Sequence, residues 1–168
     1  MTQTNEVFSA RSWLFAPGDS EKKMAKAAAC SADIALFDLE DAVTEAAKPT
    51  ARALVLAFLN NMPLAERARL WVRLNPLQGP HALADLAAVM PGKPGGIMLP
   101  KARSGADLVV LDHYLSVLEV ANGIAPGSTQ VMPLVTETAE GMLNTGSYIG
   151  APRLVAMTWG AEDLADEL

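Results

Sequence analysis

The stretch that decides the fold is Ile34-Ala35-Leu36-Phe37-Asp38-Leu39-Glu40-Asp41, in which four apolar residues are followed at once by acidic ones. A short run that is apolar on successive residues is typical of a strand buried on both faces, as in a parallel sheet covered by helices. A helix is predicted soon afterwards, from Lys48 to Asn60. The stretch therefore predicts a strand–helix unit with charged groups at the end of its strand.

The same arrangement recurs along the chain. Further apolar runs predict strands at residues 12–16, 70–74, 96–99, 131–135 and 154–159. The other predicted helices are Ser20 to Ala29, His81 to Met90, Ala106 to Asn122 and Ala139 to Gly146. Strands that alternate with helices indicate βα units. Charged or small polar residues follow nearly every run, and in α/β barrels such strand ends meet at one mouth. Solvated loops would explain one or two of these ends but explain all six poorly.

Composition narrows the class of protein. The chain has 168 residues, 51% of them hydrophobic and 19% charged, which is typical of one soluble globular domain. A formal charge of −6 disfavours non-specific nucleic-acid binding. We expect no membrane span and no secretory signal, because the apolar stretches are short and the first residues are not basic. A single cysteine, Cys30, fits a reducing compartment, so a cytoplasmic location is expected.

Taken in order, the strand ends resemble those of the citrate lyase β subunit group of the HpcH/HpaI aldolase superfamily. The motifs that carry the resemblance are Arg11-Ser12-Trp13-Leu14-Phe15-Ala16-Pro17-Gly18, Asp38-Leu39-Glu40-Asp41-Ala42-Val43 with Lys48 and Ala51-Arg52, Val72-Arg73-Leu74-Asn75, Ile97-Met98-Leu99-Pro100-Lys101, Pro133-Leu134-Val135-Thr136-Glu137-Thr138-Ala139, and Trp159-Gly160-Ala161-Glu162-Asp163-Leu164. Each motif is weak alone, whereas six in order over nearly the whole chain are strong. Thr136 departs from the usual Ile or Val-type neighbours of the glutamate, with little consequence expected.

The resemblance implies a (β/α)₈ TIM barrel that binds Mg²⁺ at its mouth and acts on acyl thioesters. Glu137 and Asp163 match the family's two metal carboxylates, and Mg²⁺ typically takes one or two such ligands. Arg73 matches the residue that binds the substrate carboxylate, a task suited to a planar bidentate donor. The resemblance thus implies Arg73, Glu137 and Asp163 as catalytic residues, and Arg73 and Glu137 also as substrate-binding residues.

Asp38, Glu40 and Asp41 are predicted to support this site by orienting Arg73 or metal-bound water, and Lys101 is predicted to pair with those carboxylates. A solvated acidic loop or a helix cap is the alternative for the three carboxylates, and a surface lysine is the alternative for Lys101. These alternatives stay open at the level of sequence.

Arg11, Lys22 and Lys23 are candidates, by the resemblance, for contact with coenzyme A phosphates. Lysines on an exposed helix face are equally common, so that alternative also stays open. Glu162, beside Asp163, is expected to be structural or to support the site. His81 and His113 have no partner at metal-ligand spacing and are expected to be surface or satisfied core residues.

Chain length bears on the expected barrel, because a closed eight-stranded barrel usually needs about 200 residues or more. Residues 1–168 are therefore expected to form a single incomplete barrel domain, truncated after about six βα units. Three explanations for the missing strands stay open: a shortened protein, further residues that are disordered, and completion of the barrel by a second chain.

The expected activity is Mg²⁺-dependent carbon–carbon cleavage of a citryl-CoA or malyl-CoA type thioester to an acetyl thioester and a 2-oxo acid. A malyl-CoA-type thioesterase and a catalytically silent binding or assembly module are the alternatives. The acyl holder is either coenzyme A or a carrier protein, and the resemblance implies a homo-oligomer, either a trimer or a hexamer.

Overall fold

Five parallel strands form the centre of the computed structural model, which describes residues 9–160 and 162–167, with side chains up to residue 165. The strands are β1 (Trp13–Pro17), β2 (Ile34–Asp38), β3 (Leu70–Arg73), β4 (Gly96–Leu99) and β5 (Gln130–Pro133). Their order in the sheet follows their order in the chain, and each strand runs parallel to the next. The predicted α/β class with a parallel sheet is confirmed. The eight-stranded barrel stays a prediction.

Helices connect the strands at nearly the predicted positions. They are α1 (Glu21–Ala29), α2 (Lys48–Asn61), α3 (Ala82–Val89), α4 (Gly105–Ala121), α5 (Ala139–Leu143) and α6 (Glu162–Glu167). Short 3₁₀ turns lie at Glu45–Ala47, Leu64–Arg69, Met90–Gly92 and Thr145–Tyr148. The helix predicted to run to Gly146 instead ends at Leu143, before the last of these turns. Among the residues described, no helix has the length and apolarity needed to cross a membrane.

The two faces of the sheet differ in what covers them. Right-handed crossovers between strands in sequential order place the helices on one face, where the larger core lies. Ala35 and Phe37 of β2 face that core with Val72 of β3. A smaller apolar cluster covers the other face, which we call the inner face: Ile34, Leu36, Trp71, Met98, Met132, Leu134 and Val155.

Trp71 fills the centre of the inner face. Its ring packs edge-on against Trp13, with 5.0 Å between ring centroids. Gly96 lies opposite Trp71 in the neighbouring strand. A Cβ atom at Gly96 would lie 2.5 Å from the indole, so only glycine leaves room for this ring.

The strand predicted at residues 154–159 does not form as a continuous strand. Two isolated parallel bridges join it to β5 and the residue after it, Val131 to Leu154 and Leu134 to Thr158. Val131 and Leu134 are three positions apart, whereas their partners Leu154 and Thr158 are four positions apart. The register therefore shifts by one residue between the bridges. Pro133 lies in that interval and has no N–H to donate, which explains why the ladder is interrupted there.

Candidate active site

An arginine on β3 is held at the carboxyl end of the sheet by an aspartate on β2. Asp38 and Arg73 are directly opposite in the register of these strands. The guanidinium donates from Nε to Oδ1 of Asp38 at 2.7 Å and from Nη2 to Oδ2 at 2.6 Å. The guanidinium also lies 5.0 Å from the centroid of the Phe15 ring. A bidentate pair of this kind fixes both the position and the plane of Arg73.

Asp38 also shapes the turn that follows β2. Its two carboxylate oxygens accept hydrogen bonds from the backbone N–H groups of Glu40 and Ala42, at 2.9 and 3.0 Å. This side-chain-to-backbone pattern turns the chain back over the strand end. The Glu40 carboxylate then faces Arg73, with Oε2 3.0 Å from Nη1. The distance allows an ion pair, although Oε2 accepts no hydrogen bond of acceptable geometry from the described residues.

Lys101, after β4, contacts four carboxylates. Its backbone N–H donates to Oε2 of Glu137 at 2.6 Å. Its ammonium lies 2.7 Å from Oε1 of Glu40, 3.2 Å from Oδ2 of Asp163 and 3.5 Å from Oδ2 of Asp41. The backbone of Lys101 is left-handed, with φ of 50°, which is uncommon for a residue with a side chain.

Glu137 and Arg73 line the same cavity on the inner face, which has a volume of about 430 Å³. Apolar side chains, among them Met98 and Met132, form its wall. The Glu137 side chain is buried, and Gly160 passes so close that a Cβ there would lie 3.0 Å from it. The cavity thus brings an arginine and a carboxylate together in largely apolar surroundings.

Burial shifts the protonation equilibria of the carboxylates. It raises the pKa of Glu40 to about 7, against the opposing hydrogen bond from Lys101 and the charge of Arg73. Burial also raises the pKa of Glu137, and the nearby Asp163 carboxylate adds to that rise. For Arg73 the hydrogen bond and charge of Asp38 outweigh burial, so its pKa is raised and it stays protonated.

The charges of the cluster favour a cation. Its members are the carboxylates of Asp38, Glu40, Asp41, Glu137 and Asp163 and the cations of Arg73 and Lys101. Carboxylates outnumber cations, and carboxylate oxygens are the protein ligands that Mg²⁺ prefers. Among the described residues no group of three or more His, Cys, Asp or Glu side chains forms a metal cage. A site with one or two carboxylates, as is usual for Mg²⁺, does not require such a cage.

The structure brings together seven of the predicted residues, those of the charged cluster. Arg11 does not join them, because it precedes β1 and lies at the opposite, amino end of the sheet. Its backbone N–H donates to the Asp33 carboxylate. Lys22 and Lys23 lie exposed in the first turn of α1, outside the cluster. Their contact with coenzyme A stays a prediction.

Three buried polar residues, Lys48, Asn75 and Asp85, lie beneath the cluster and were not predicted to take part in the site. Asp85 is a charged residue in the otherwise apolar helix Ala82–Val89, which is a signal of a buried partner. Asn75 follows β3 at the point where other strands carry charged groups. Lys48 belongs to the motif that follows the second strand, but a lysine at the start of a helix is common on surfaces, so its burial was not predicted.

Comparison with known proteins agrees with this geometry. Residues 11–168 match the family model described as HpcH/HpaI aldolase/citrate lyase. The chain belongs to this family. The resemblance found in the strand ends of this HpcH/HpaI family member is thereby confirmed.

Curated relatives are named for two activities. A (3S)-malyl-CoA thioesterase of Cereibacter sphaeroides is 38% identical over 160 residues, covering 94% of this chain and 51% of that protein. A citrate lyase subunit beta of Haemophilus influenzae is 33% identical over 159 residues, covering 94% of this chain and 54% of that protein. The chain spans about half the length of the curated relatives it matches.

Several solved structures that are similar to this chain contain magnesium. Protein CitE from Mycobacterium tuberculosis, in complex with magnesium and acetoacetate, superposes with a TM-score of 0.75 at 34% identity, covering 99% of this chain and 59% of that one. A complex of CitE with magnesium, acetoacetate and coenzyme A gives a TM-score of 0.74 at 36% identity, covering 95% of this chain and 52% of that one. The likeness therefore extends over nearly all of this chain.

Proposed function

We propose that this chain provides the metal- and carboxylate-binding part of a Mg²⁺-dependent carbon–carbon lyase. The reaction would cleave a citryl-CoA or malyl-CoA type thioester to an acetyl thioester and a 2-oxo acid. The observation that carries the proposal is that Arg73 and Glu137 line one cavity, with Asp163 tied to the same cluster through Lys101. The complexes of CitE with magnesium, acetoacetate and coenzyme A support it.

Glu137 and Asp163 would hold the metal, since among the described residues Arg73 forms its ion pairs with Asp38 and Glu40 instead. When bound, Mg²⁺ supplies positive charge to substrate oxygens as the carbon–carbon bond breaks. The hydrogen bond from the backbone of Lys101 fixes one oxygen of Glu137. The same lysine keeps Asp163 beside it through its ammonium group.

Arg73 would bind the carboxylate of the acid unit. A guanidinium has five N–H donors, and Asp38 occupies two of them, with Glu40 close to a third nitrogen. Donors therefore remain for a substrate carboxylate. Because Arg73 is already oriented, binding requires little ordering of its side chain. The apolar wall of the cavity strengthens such charge pairs by excluding water.

The surrounding architecture is proposed in the same way. Five parallel strands in sequential order, with helices on one face and a cavity on the other, fit part of a (β/α)₈ barrel. We also propose a thioester carried by coenzyme A or a carrier protein as substrate, a cytoplasmic location, and assembly of the whole protein as a homo-oligomer.

A thioesterase acting in the same site is the second candidate, favoured by the relatives named (3S)-malyl-CoA thioesterase. In that reaction water would hydrolyse the thioester, and the carbon–carbon bond would stay intact. Incubation with malyl-CoA separates the two, since the thioesterase releases malate and the lyase releases glyoxylate. Thioester binding without either product would instead support a catalytically silent binding module.

Thermal unfolding with and without Mg²⁺ tests the metal site. At about 100 times its Kd, the ion stabilises a folded protein by roughly 2.7 kcal/mol, which raises Tm by several degrees. Glu137→Gln is expected to abolish this increase. Glu140→Gln is the matched control, because Glu140 lies three residues away with a side chain that is 57% exposed. A wild-type Tm unchanged by Mg²⁺ would contradict the proposal.

A further inference from the structure

Beneath the turn that follows β2 lies a buried polar group formed by Lys48, Asn75 and Asp85. Lys48 is the first residue of α2, Asn75 follows β3, and Asp85 lies in α3. Their exposed fractions are 7%, 4% and 0%. Polar side chains from three parts of the chain thus meet at one point in the core, directly below the residues that hold Arg73.

The ammonium of Lys48 uses its three hydrogens on three neutral acceptors. It lies 3.0 Å from the carbonyl oxygen of Leu39, 3.1 Å from that of Glu40 and 2.7 Å from Oδ1 of Asn75. In the described part of the chain no carboxylate lies within ion-pair distance of it. A buried charge without a counter-ion is costly, so its retention needs a reason beyond filling space.

Asn75 is itself fixed from below. Its side chain donates to the carbonyl oxygen of Leu39 at 2.9 Å and to Oδ2 of Asp85 at 2.7 Å. Its backbone N–H donates to the same carboxylate oxygen at 2.8 Å. The other oxygen of Asp85 accepts from Arg52 at 2.7 Å. The acceptor that receives Lys48 therefore has little freedom to move.

Glu40 is held on both sides. Its carbonyl oxygen bonds Lys48 below the turn, and its carboxylate contacts Lys101 and Arg73 above it. Lys48 thus binds the backbone of the turn at residues 39–40, while the Glu40 side chain binds the charged cluster. Movement of this turn would carry the Glu40 carboxylate away from Arg73 and would break the backbone hydrogen bonds that orient the Asp38 carboxylate.

We infer that Lys48, together with Asn75, is a positioning residue that fixes the turn at residues 39–40, so that Asp38 and Glu40 present Arg73 to the substrate carboxylate. The inference rests on the proposed function, because it assigns that carboxylate to Arg73. Lys48 contacts neither Glu137 nor Asp163 in the structure, and Glu137 is held by the backbone N–H of Lys101 rather than by Glu40. The influence of Lys48 is therefore expected on the arginine side of the site and not on metal binding.

The test compares Lys48→Met with Lys26→Met, a control that removes an exposed lysine of α1 by the same chemical change. The first measurement is amide hydrogen exchange at Glu40 and Ala42, whose N–H groups bond Asp38, in protein without ligand. The second is the Kd of pyruvate, as the 2-oxo acid, in the presence of Mg²⁺. The third is the Kd of Mg²⁺ alone.

Lys48→Met is expected to speed exchange at both amides and to raise the Kd of pyruvate by about tenfold or more, as loss of a supporting contact does. The Kd of Mg²⁺ is expected to stay at the wild-type value, and Lys26→Met to change none of the three quantities. If Lys48→Met does not fold, Asn75→Ala removes the neutral partner of Lys48 and is used for the same measurements.

Unchanged exchange at Glu40 and Ala42 would overturn the inference. So would faster exchange with wild-type affinity for pyruvate, because Lys48 would then only stabilise the fold. A wild-type protein that binds no pyruvate with Mg²⁺ would contradict the proposed function itself. That outcome is distinguishable, since it is seen without any variant, while hydrogen exchange still reports whether Lys48 holds the turn.

Discussion

Replacing Glu40 by glutamine is expected to stabilise the protein at pH 8, even though Glu40 is a partner of both Arg73 and Lys101. The carboxyl is buried, and its pKa is raised from 4.5 to about 7. Glutamine has nearly the same shape and resembles the protonated, uncharged carboxyl. The substitution therefore removes the cost of burying a charge while keeping an oxygen that accepts from Lys101.

The direction and size of the effect depend on pH. Below pH 4.5 the carboxyl is protonated in both the folded and the unfolded chain, so it contributes no pH dependence. Between pH 4.5 and 7 the unfolded chain loses the proton while the folded chain keeps it, so the free energy of unfolding falls as pH rises. The rise from 4.5 to about 7 corresponds to about 3.5 kcal/mol, at about 1.4 kcal/mol for each pH unit.

Urea unfolding of wild type and Glu40→Gln between pH 4.5 and 8, in buffer free of divalent metal, measures this difference. The advantage of the variant is expected to grow over that range and to level off above pH 7. Asp41→Asn is the control, since the Asp41 side chain is 56% exposed and should show little pH-dependent gain. A variant less stable than wild type at pH 8, or a difference that does not vary with pH, would refute the reasoning.

Three further substitutions test the core and the site. Glu119→Gln breaks a buried pair with Arg153 and is expected to lower the free energy of unfolding by about 3–5 kcal/mol at pH 7. Burial raises the pKa of Glu119, but hydrogen bonds from Arg153 and the backbone outweigh it and lower this pKa to about 2. The loss of stability in the variant should therefore shrink as pH falls from 4.5 towards 2. Equal losses at pH 2 and 7 would contradict this prediction. Gly96→Ala drives a methyl group into Trp71 and is expected to cost about 1–3 kcal/mol in urea unfolding, whereas wild-type stability would show that the indole moves freely. Arg73→Lys loses the bidentate geometry and is expected to weaken pyruvate binding in calorimetry without changing Mg²⁺ binding; equal loss of both would place Arg73 on the metal side.

Much of the fold follows from the sequence because buried parallel strands are apolar on successive residues. The Ile34–Asp38 strand and the Lys48–Asn61 helix lie within one residue of their predicted ends. The segment at residues 154–159 has the same apolar character, yet it forms only bridges. What decides there is the neighbour, since Pro133 cannot donate, and a pattern within one segment carries no information about its partner.

The site is predictable to the extent that strand ends converge. Asp38 and Arg73 meet because they end adjacent parallel strands, which any parallel sheet would bring together. The contact of Lys101 with Glu137 is different, because it comes from a backbone N–H aimed by a left-handed φ. The burial of Lys48 is equally hidden, since it depends on where α2 lies against β3. Composition and spacing reveal neither the direction of the Lys101 N–H nor the position of α2 against β3.

Lys101 has a consequence for how changes in one part of the site reach the other. In the described residues, Asp38, Glu40, Asp41 and Arg73 form one half of the cluster, and Glu137 and Asp163 form the other. Among the residues that the structure describes, Lys101 makes every hydrogen bond and ion pair between the two halves. Lys101 is thus the residue that joins the two halves. Residues of the arginine half and residues of the Glu137 and Asp163 half could therefore change separately during evolution, provided that Lys101 is kept.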